Sequence, residues 1–352
     1  MPDLAATVAD CSERELIARI RQCLPPAPEW LLVGIGDDAA VAEPERNRVE
    51  VLTVDALIEG IHFDRAFVPP DAVGHRALAV NLSDLAAMGA APRLALLSMA
   101  LPATLPLAEF DGIVAGFTAL AKRSSLHVAG GNITRSPGPL MLDVTVMGTV
   151  KRRQALTRSG ARPADDLYLS GTIGTAAAGL QILQSSVLSR QSQAQSESWT
   201  ATATDDGRLT TAYLRPDPRV LLGVHLARNR AASACMDLSD GLADGLRQIA
   251  EASGVGMIID LAALPIEPAA RVFFAARGMD AVTQALTGGD DYELLFAVRP
   301  RTQRRLSAAT RRGGVQLARI GRCTGQRGVT LRGEAGTAID LDDLPRGFAH
   351  FR

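Results

Sequence analysis

Apolar and polar residues alternate along this chain in runs that predict a mixed succession of helices and strands. Residues 12–23 carry the helical spacing, with Ser12 as N-cap and Glu15 completing a capping box. Residues 49–54 (VEVLTV) are β-branched and predict a strand ending at Asp55. Over 71–89, opened by Asp71, the positions Val73, Ala77, Val80, Asp84 and Met88 recur at helical spacing. That spacing puts Asp84 on or beside an apolar face. A strand around 94–101 ends at Pro102, a helix follows over 107–123, and a strand leads into Gly130–Gly131. Another strand covers 140–150. The basic, breaker-rich stretch KRRQALTRSGARPADD (151–166) reads as a boundary. Beyond it come a strand at 166–170, an Ala-rich helix at 174–184 and a helix near 217–229. A further helix is opened by DLSDGL with Ser239 as N-cap. GVGMIIDL, TGGDDYELLFAV, GVQLARIGRC and GVTLRG predict strands. Residues 185–210 are polar and poor in aliphatic side chains, and read as a mobile surface insertion. The alternation implies an α/β (α+β) fold in two domains, 1–150 and 151–352.

Composition narrows the function classes. The chain has 352 residues, is 47% hydrophobic and 21% charged, and has net charge -1. That balance offers no electrostatic footprint for nucleic acid or an anionic membrane. Aromatic residues are 4%, too few for base-stacking platforms. The four cysteines (Cys11, Cys23, Cys235, Cys323) are scattered without a CxxC pair, which points to free thiols in a reducing cytoplasm. The N-terminal residues lack a basic start and apolar core, so no signal peptide is expected, and no run approaches the ~18 apolar residues of a membrane span.

The chemistry is carried by acids. Asp37 and Asp38 lie in GIGDDAAV, Asp55 in VLTVD, Asp84 in NLSDLAAMGA, and Asp237 and Asp240 in DLSDGL. Asp is a poor interior residue of helices and strands, and burying its charge costs several kcal/mol unless a cation pairs with it. Magnesium, a hard cation that prefers carboxylates, water and phosphate oxygens, is the natural partner. Gly-Asp turns and helix caps explain some of these acids without any ligand. They do not explain both Asp237 and Asp240, nor the crowding of Asn81, Ser83 and Asp84 in an Ala/Leu/Met helix. AGGNITRS (129–136) has paired glycines that could bring backbone amides to phosphate. Arg135 and Arg158 could supply guanidinium donors, and Asp290, Asp291 and Glu293 read as a substrate or metal edge. His62 follows Asp55 by seven residues, as a candidate contact to a substrate phosphate or hydroxyl. No P-loop, protein-kinase signature or GxGxxG is present.

In this order, GIGDDAAV, NLSDLAAMGA, ALTRSGA, DLSDGL and GGDDYELLF resemble the thiamine-monophosphate kinases, of the superfamily of aminoimidazole ribonucleotide synthetase and selenophosphate synthetase. The resemblance implies ATP-dependent phosphorylation of thiamine monophosphate to thiamine diphosphate. It also implies an N-terminal domain, binding ATP and magnesium, whose sheet closes a barrel across a homodimer. By the same resemblance Asp38, Asp55, Asp84, Asp237 and Asp240 are magnesium ligands, with Asp37 beside them and Thr53 a further metal contact. Gly131, Asn132, Arg158 and Ser239 fall at ATP positions. His62, Asp290 and Phe348 fall at thiamine monophosphate positions. Two residues depart from the family pattern: Asn132 replaces a metal-binding Asp, with one negative charge lost, and Asp290 is one methylene shorter than the usual Glu. A ligase of the same superfamily, which phosphorylates an amide oxygen, and a nucleotide- or metal-binding module without turnover are the alternatives. Asn132 is the feature that favours the latter.

Overall fold

Ser12 caps the first helix, α1 (Glu13–Cys23): its Oγ accepts the Glu15 amide at 3.3 Å, and Glu15 Oε2 accepts the Ser12 amide at 2.7 Å. Two amides that a helix start leaves without partners are thereby satisfied. The structure is a computed structural model that describes residues 6–192, 203–333 and 338–343. The chain divides into two compact units. One comprises Met1–Leu82 with Ala91–Thr149, the other Ser83–Ala90 with Val150–Arg352.

The first unit contains α1, β1 (Leu31–Val33), β2 (Val41–Ala42), β3 (Arg48–Ile58), the first turns of α2 (Pro70–Ala87), β4 (Ala91–Pro102), α3 (Leu107–Arg123), β5 (His127–Ser136) and β6 (Met141–Lys151). Four strands form one sheet in the order β3-β6-β4-β5. β4 runs antiparallel to β6 and parallel to β5. Along β6, Leu142, Val144 and Val146 alternate into the core and are fully buried, as a half-covered strand requires. Phe110, Ile113 and Phe117 of α3 are buried likewise. Among the described residues this sheet is open, with β3 and β5 at its edges. Leu52 (66% exposed) and Val54 (57%) occupy one face of edge strand β3.

α2 is buried on nearly every side, with Ala72, Val73, Ala77, Leu78, Leu82, Leu85 and Ala86 all below 1% exposure. It meets α3 backbone to backbone. A Cβ on Gly74 would stand 1.9 Å from Ile113 O, and one on Gly116 1.8 Å from Asp71 O.

The second unit contains β7 (Asp166–Ser170), α4 (Thr175–Ser192), α5 (Ala203–Leu214), α6 (Val220–Asn229), β8 (Ala234–Asp237), α7 (Leu242–Ser253), β9 (Gly256–Asp260), α8 (Pro268–Ala276), α9 (Ala281–Thr287), β10 (Leu294–Val298), α10 (Gln303–Gly313), β11 (Leu317–Thr324), β12 (Val329–Arg332) and β13 (Ala338–Asp340). Its sheet has the order β13-β12-β9-β11-β7-β10-β8, antiparallel throughout except for β12 beside β9. Leu242, Leu246 and Ile249 of α7 pack with Leu169, Met236, Ile259, Leu295 and Ile320 in its core. No helix is long and apolar enough to cross a membrane among the described residues.

Four local expectations are corrected. β3 passes through Asp55 to Ile58, because apolar Ala56, Leu57 and Ile58 continue the strand beyond the acid. β5 likewise passes through Gly130–Gly131 to Ser136, held by pairing with β4. Where it is described, the polar segment 185–210, read as a mobile surface insertion, is helical: α4 runs on to Ser192 and α5 starts at Ala203. Buried Leu209 and Tyr213 anchor α5, and Gly179 of α4 lets the Leu209 carbonyl approach. Finally, α7 begins after Gly241 (φ 97°) with no side-chain cap, so Ser239 is not its N-cap.

The α2–α3 crossing leaves no room for a methyl group. Gly116→Ala is expected to destabilise the protein by about 3 kcal/mol through forced separation of the two helices, read as a lower urea midpoint.

Candidate active site

Asp237 is the last residue of β8, paired there with Leu294 of β10, and is 5% exposed. Ser83, fully buried near the end of α2, donates its Oγ–H to Asp237 Oδ2 at 2.6 Å, across 154 positions of sequence. Burial pushes the Asp237 carboxyl up to about 6, and the neighbouring charge of Asp84 adds to the rise. The Ser83 hydrogen bond, its own backbone and the more distant Arg158 charge act the other way without cancelling it. Two acids gathered below the surface in this manner are a costly arrangement that a bound cation relieves. Asp240 lies three residues on, half-buried in the loop before α7.

Two further loops meet this one. In ALTRSGA the Leu156 amide bonds to Met88 O at 3.0 Å, and Thr157 O accepts the Cys235 amide at 2.9 Å. The loop thus lies along β8, leaving Arg158 exposed with its guanidinium on Gln248 of α7. GGDDYE is laced to DLSDG by three main-chain bonds: Asp290 N to Ser239 O at 2.7 Å, Tyr292 N to Leu238 O at 2.9 Å, and Leu238 N to Glu293 O at 2.9 Å. Gly289 permits the contact, since a Cβ there would stand 2.4 Å from Ser239 O.

The acids of GGDDYE do not act as one edge. Asp291 accepts the amides of Gly174 (2.8 Å) and Ala176 (3.2 Å) at the start of α4. Burial of that carboxyl raises it to about 7, against those two hydrogen bonds and with the charges of Glu293 and Asp290 adding. Glu293, 3% exposed, accepts from Ser170 Oγ at 2.5 Å and pairs with both ends of the Arg219 fork, Nε at 2.8 Å. Both carboxylates are therefore committed to the scaffold. Arg219 escaped the sequence reading, because only the fold brings it to Glu293, 74 positions away.

In the first unit, Thr53 and Asp55 sit two apart on β3 and so share a face. Asp37 and Asp38 are exposed in the turn between β1 and β2, where Asp37 Oδ1 takes the Asp38 amide at 2.9 Å. His62 Nδ1 accepts the Ile58 amide at 3.0 Å, which makes Nε2 the protonated nitrogen of the neutral ring. Gly131 and Asn132 are exposed on β5 rather than in a loop. The missing side chain of Gly131 serves the sheet, because a Cβ would stand 1.8 Å from Leu97 O. Among the described residues no three His, Cys, Asp or Glu side chains form a ready-made metal group. Phe348 lies outside the described residues.

Comparison with known proteins places this arrangement. Residues 36–150 match the family model for the N-terminal domain of AIR synthase related proteins, and residues 162–334 match its C-terminal domain. The chain is 37% identical over 345 residues to the thiamine-monophosphate kinase of Escherichia coli K12, covering 97% of this chain and 98% of that one. The chain belongs to the thiamine-monophosphate kinase family. Among solved structures, the thiamine-monophosphate kinase of Stenotrophomonas maltophilia K279a is 39% identical, covers 92% of this chain and 98% of its own, and superposes with a TM-score of 0.79. AaThiL complexed with AMPPCP and TMP is 30% identical over 94% of this chain and 97% of its own, with a TM-score of 0.71. The mixed α/β architecture in two units is that of this family.

A carboxyl raised above its unfolded value of 3.8 binds its proton more tightly when folded. Its destabilising share is absent below that pH, grows as pH rises towards about 6, and is complete above it. In metal-free protein, Asp237→Asn is therefore expected to raise stability at pH 7.5 by about 3 kcal/mol, and by less at pH 5. Asn keeps an oxygen for Ser83. Urea unfolding with chelator reads the gain, and added magnesium should stabilise the native chain more than the variant.

Proposed function

We propose that this chain transfers the γ-phosphoryl group of ATP to thiamine monophosphate, giving thiamine diphosphate and ADP. The observation that carries the reading is the buried Asp237, bonded to Ser83 and beside Asp84, in a chain matched along 97% of its length by a thiamine-monophosphate kinase. The complex of AaThiL with AMPPCP and TMP supports both substrates.

Transfer is direct and in line in this reading. A phosphate oxygen of thiamine monophosphate forms the new P–O bond while the bond from the γ-phosphorus to ADP breaks. The nucleophile is already ionised at neutral pH, so no strong general base is needed, in keeping with the absence of a catalytic His or Lys among the candidates. Asp237 and Asp84 fit magnesium: both offer only oxygen donors, and burial together with the Asp84 charge raises the Asp237 carboxyl. Asp37, Asp38, Thr53, Asp55 and Asn132 in the first unit, and Asp84, Asp237 and Asp240 in the second, are the residues that would hold magnesium ions. Bound magnesium supplies charge neutralisation between two anionic substrates. Arg158 adds a fork-shaped donor for ATP oxygens, and Ser239, Gly131 and Asn132 contact the nucleotide. His62, Asp290 and Phe348 contact thiamine monophosphate. The chain works in the cytoplasm, where its four free thiols stay reduced.

The first unit carries dimerisation, with a barrel closed between two copies. Leu52 and Val54, exposed on edge strand β3, support it, because an apolar open edge invites pairing with another chain.

Incubating the protein with ATP, magnesium and thiamine monophosphate should yield thiamine diphosphate. Asp84→Asn or Asp240→Asn should lower turnover by orders of magnitude with native circular dichroism retained; native-like turnover in both would remove the metal assignment. Light scattering should give twice the chain mass, falling to a single mass in Leu52→Asp, and a monomeric native chain would end the barrel proposal.

A further inference from the structure

Arg158 is tied to α7 through both its main chain and its side chain. Ser253, the last residue of the helix, donates its Oγ–H to Arg158 O at 3.1 Å, and the same Oγ accepts the Ala161 amide at 3.1 Å. Further back along α7, Gln248 Oε1 accepts from the Arg158 guanidinium. Gln248 Nε2 in turn donates to Asp244 Oδ2, four residues earlier on the helix. The proposed phosphoryl transfer gives Arg158 a task and gives none to Gln248 or Asp244.

The three side chains set one another's orientation. An ionised carboxylate only accepts and a guanidinium only donates. An amide between them has one arrangement that satisfies both, with its NH2 towards Asp244 and its oxygen towards Arg158. The spacing of four stacks Asp244 and Gln248 on one side of the helix, while Leu242, Leu246, Ile249 and Ala250 are buried in the core. Apolar packing therefore fixes α7 without help from either polar side chain. The loop carrying Arg158 is fixed as well. Gly160, with φ 119°, lets Ser233 O come to where a Cβ would stand 2.4 Å away. What remains to be ordered is the Arg158 side chain itself, and freezing its rotamers costs entropy when a ligand has to do it. The guanidinium charge is felt at Asp237, whose carboxyl it draws down against burial.

We propose that Gln248 is a positioning residue for the nucleotide, acting through Arg158, with Asp244 fixing its amide. By accepting one N–H of Arg158, Gln248 holds the guanidinium against α7 before ATP arrives. The fork then meets the anionic oxygens of a nucleoside triphosphate already ordered. The inference rests on the kinase reading above, in which Arg158 contacts ATP.

The test is a double-mutant cycle with wild type, Gln248→Leu, Arg158→Ala and the double variant, in steady-state assays varying each substrate separately. Leu keeps helix propensity and removes both hydrogen bonds. Gln248→Leu should raise KM for ATP about tenfold, the size of one hydrogen bond to a charged group, and leave KM for thiamine monophosphate and the urea midpoint close to native. In the Arg158→Ala background it should add nothing further. Asp244→Asn combined with Gln248→Glu rebuilds the row of hydrogen bonds with the charge moved to 248. That pair should bring KM for ATP back towards native, and no recovery overturns the part given to Asp244. An unchanged or lowered KM for ATP in Gln248→Leu overturns the inference, as does the same multiplicative loss with and without Arg158. A Gln248→Leu that fails to fold overturns it too, since the amide would then serve the fold. In each of these cases an active wild type keeps the kinase reading. A wild type that makes no thiamine diphosphate overturns both.

Discussion

The Ser83–Asp237 hydrogen bond is the contact around which the second unit's chemistry is arranged. It joins the end of α2 to the end of β8, across 154 residues, at a distance of 2.6 Å. A buried carboxylate beside a second acid is unfavourable by itself, and one hydroxyl donor does not offset the burial. The fold accepts this arrangement because α2 and β8 are fixed by apolar packing that does not involve the acids. Leu82 and Leu85 flank Ser83 and Asp84, and Met236 precedes Asp237, all nearly inaccessible to water. The cost at the acids is thus carried by a core that would form without them, and a ligand of opposite charge finds the cost already incurred.

Main-chain bonding extends this rigidity. The loop after β8 carries Ser239 and Asp240, and it is held by the strand-entry loop carrying Asp290 through three backbone hydrogen bonds. Backbone contacts of this kind place residues from distant motifs without spending their side chains. The same strategy sets Arg158, whose loop is fastened to Met88 and Cys235 by main-chain atoms.

Much of the fold was legible. The α1 cap, α3, β7 and the carboxylate motifs follow from spacing and local chemistry. The errors have physical causes. Glycines at 130–131 suggested a phosphate loop, but Gly131 answers to the Leu97 carbonyl on the neighbouring strand, a tertiary contact with no local signature. Ser239 looked like an N-cap, yet its carbonyl is held by Asp290, and Gly241, with its positive φ, starts the helix two residues later. The polar stretch after residue 184 lacks aliphatic periodicity, so the burial of Leu209 and Tyr213 that steadies α5 could not be read from pattern. Of GGDDYE, the family resemblance marked Asp290. That Asp291 and Glu293 belong to the scaffold required knowing where α4 and Arg219 lie.

That last division of labour bears on how such a loop can change over time. In GGDDYE the side chains that hold the loop, those of Asp291 and Glu293, are distinct from that of Asp290, so they are mutable independently. A lineage can exchange one acid for another at 290 without disturbing the anchors at 291 and 293. The acid at 290 can therefore drift by single substitutions on an unaltered frame. The anchors are under the opposite pressure, because losing either one strands a buried partner.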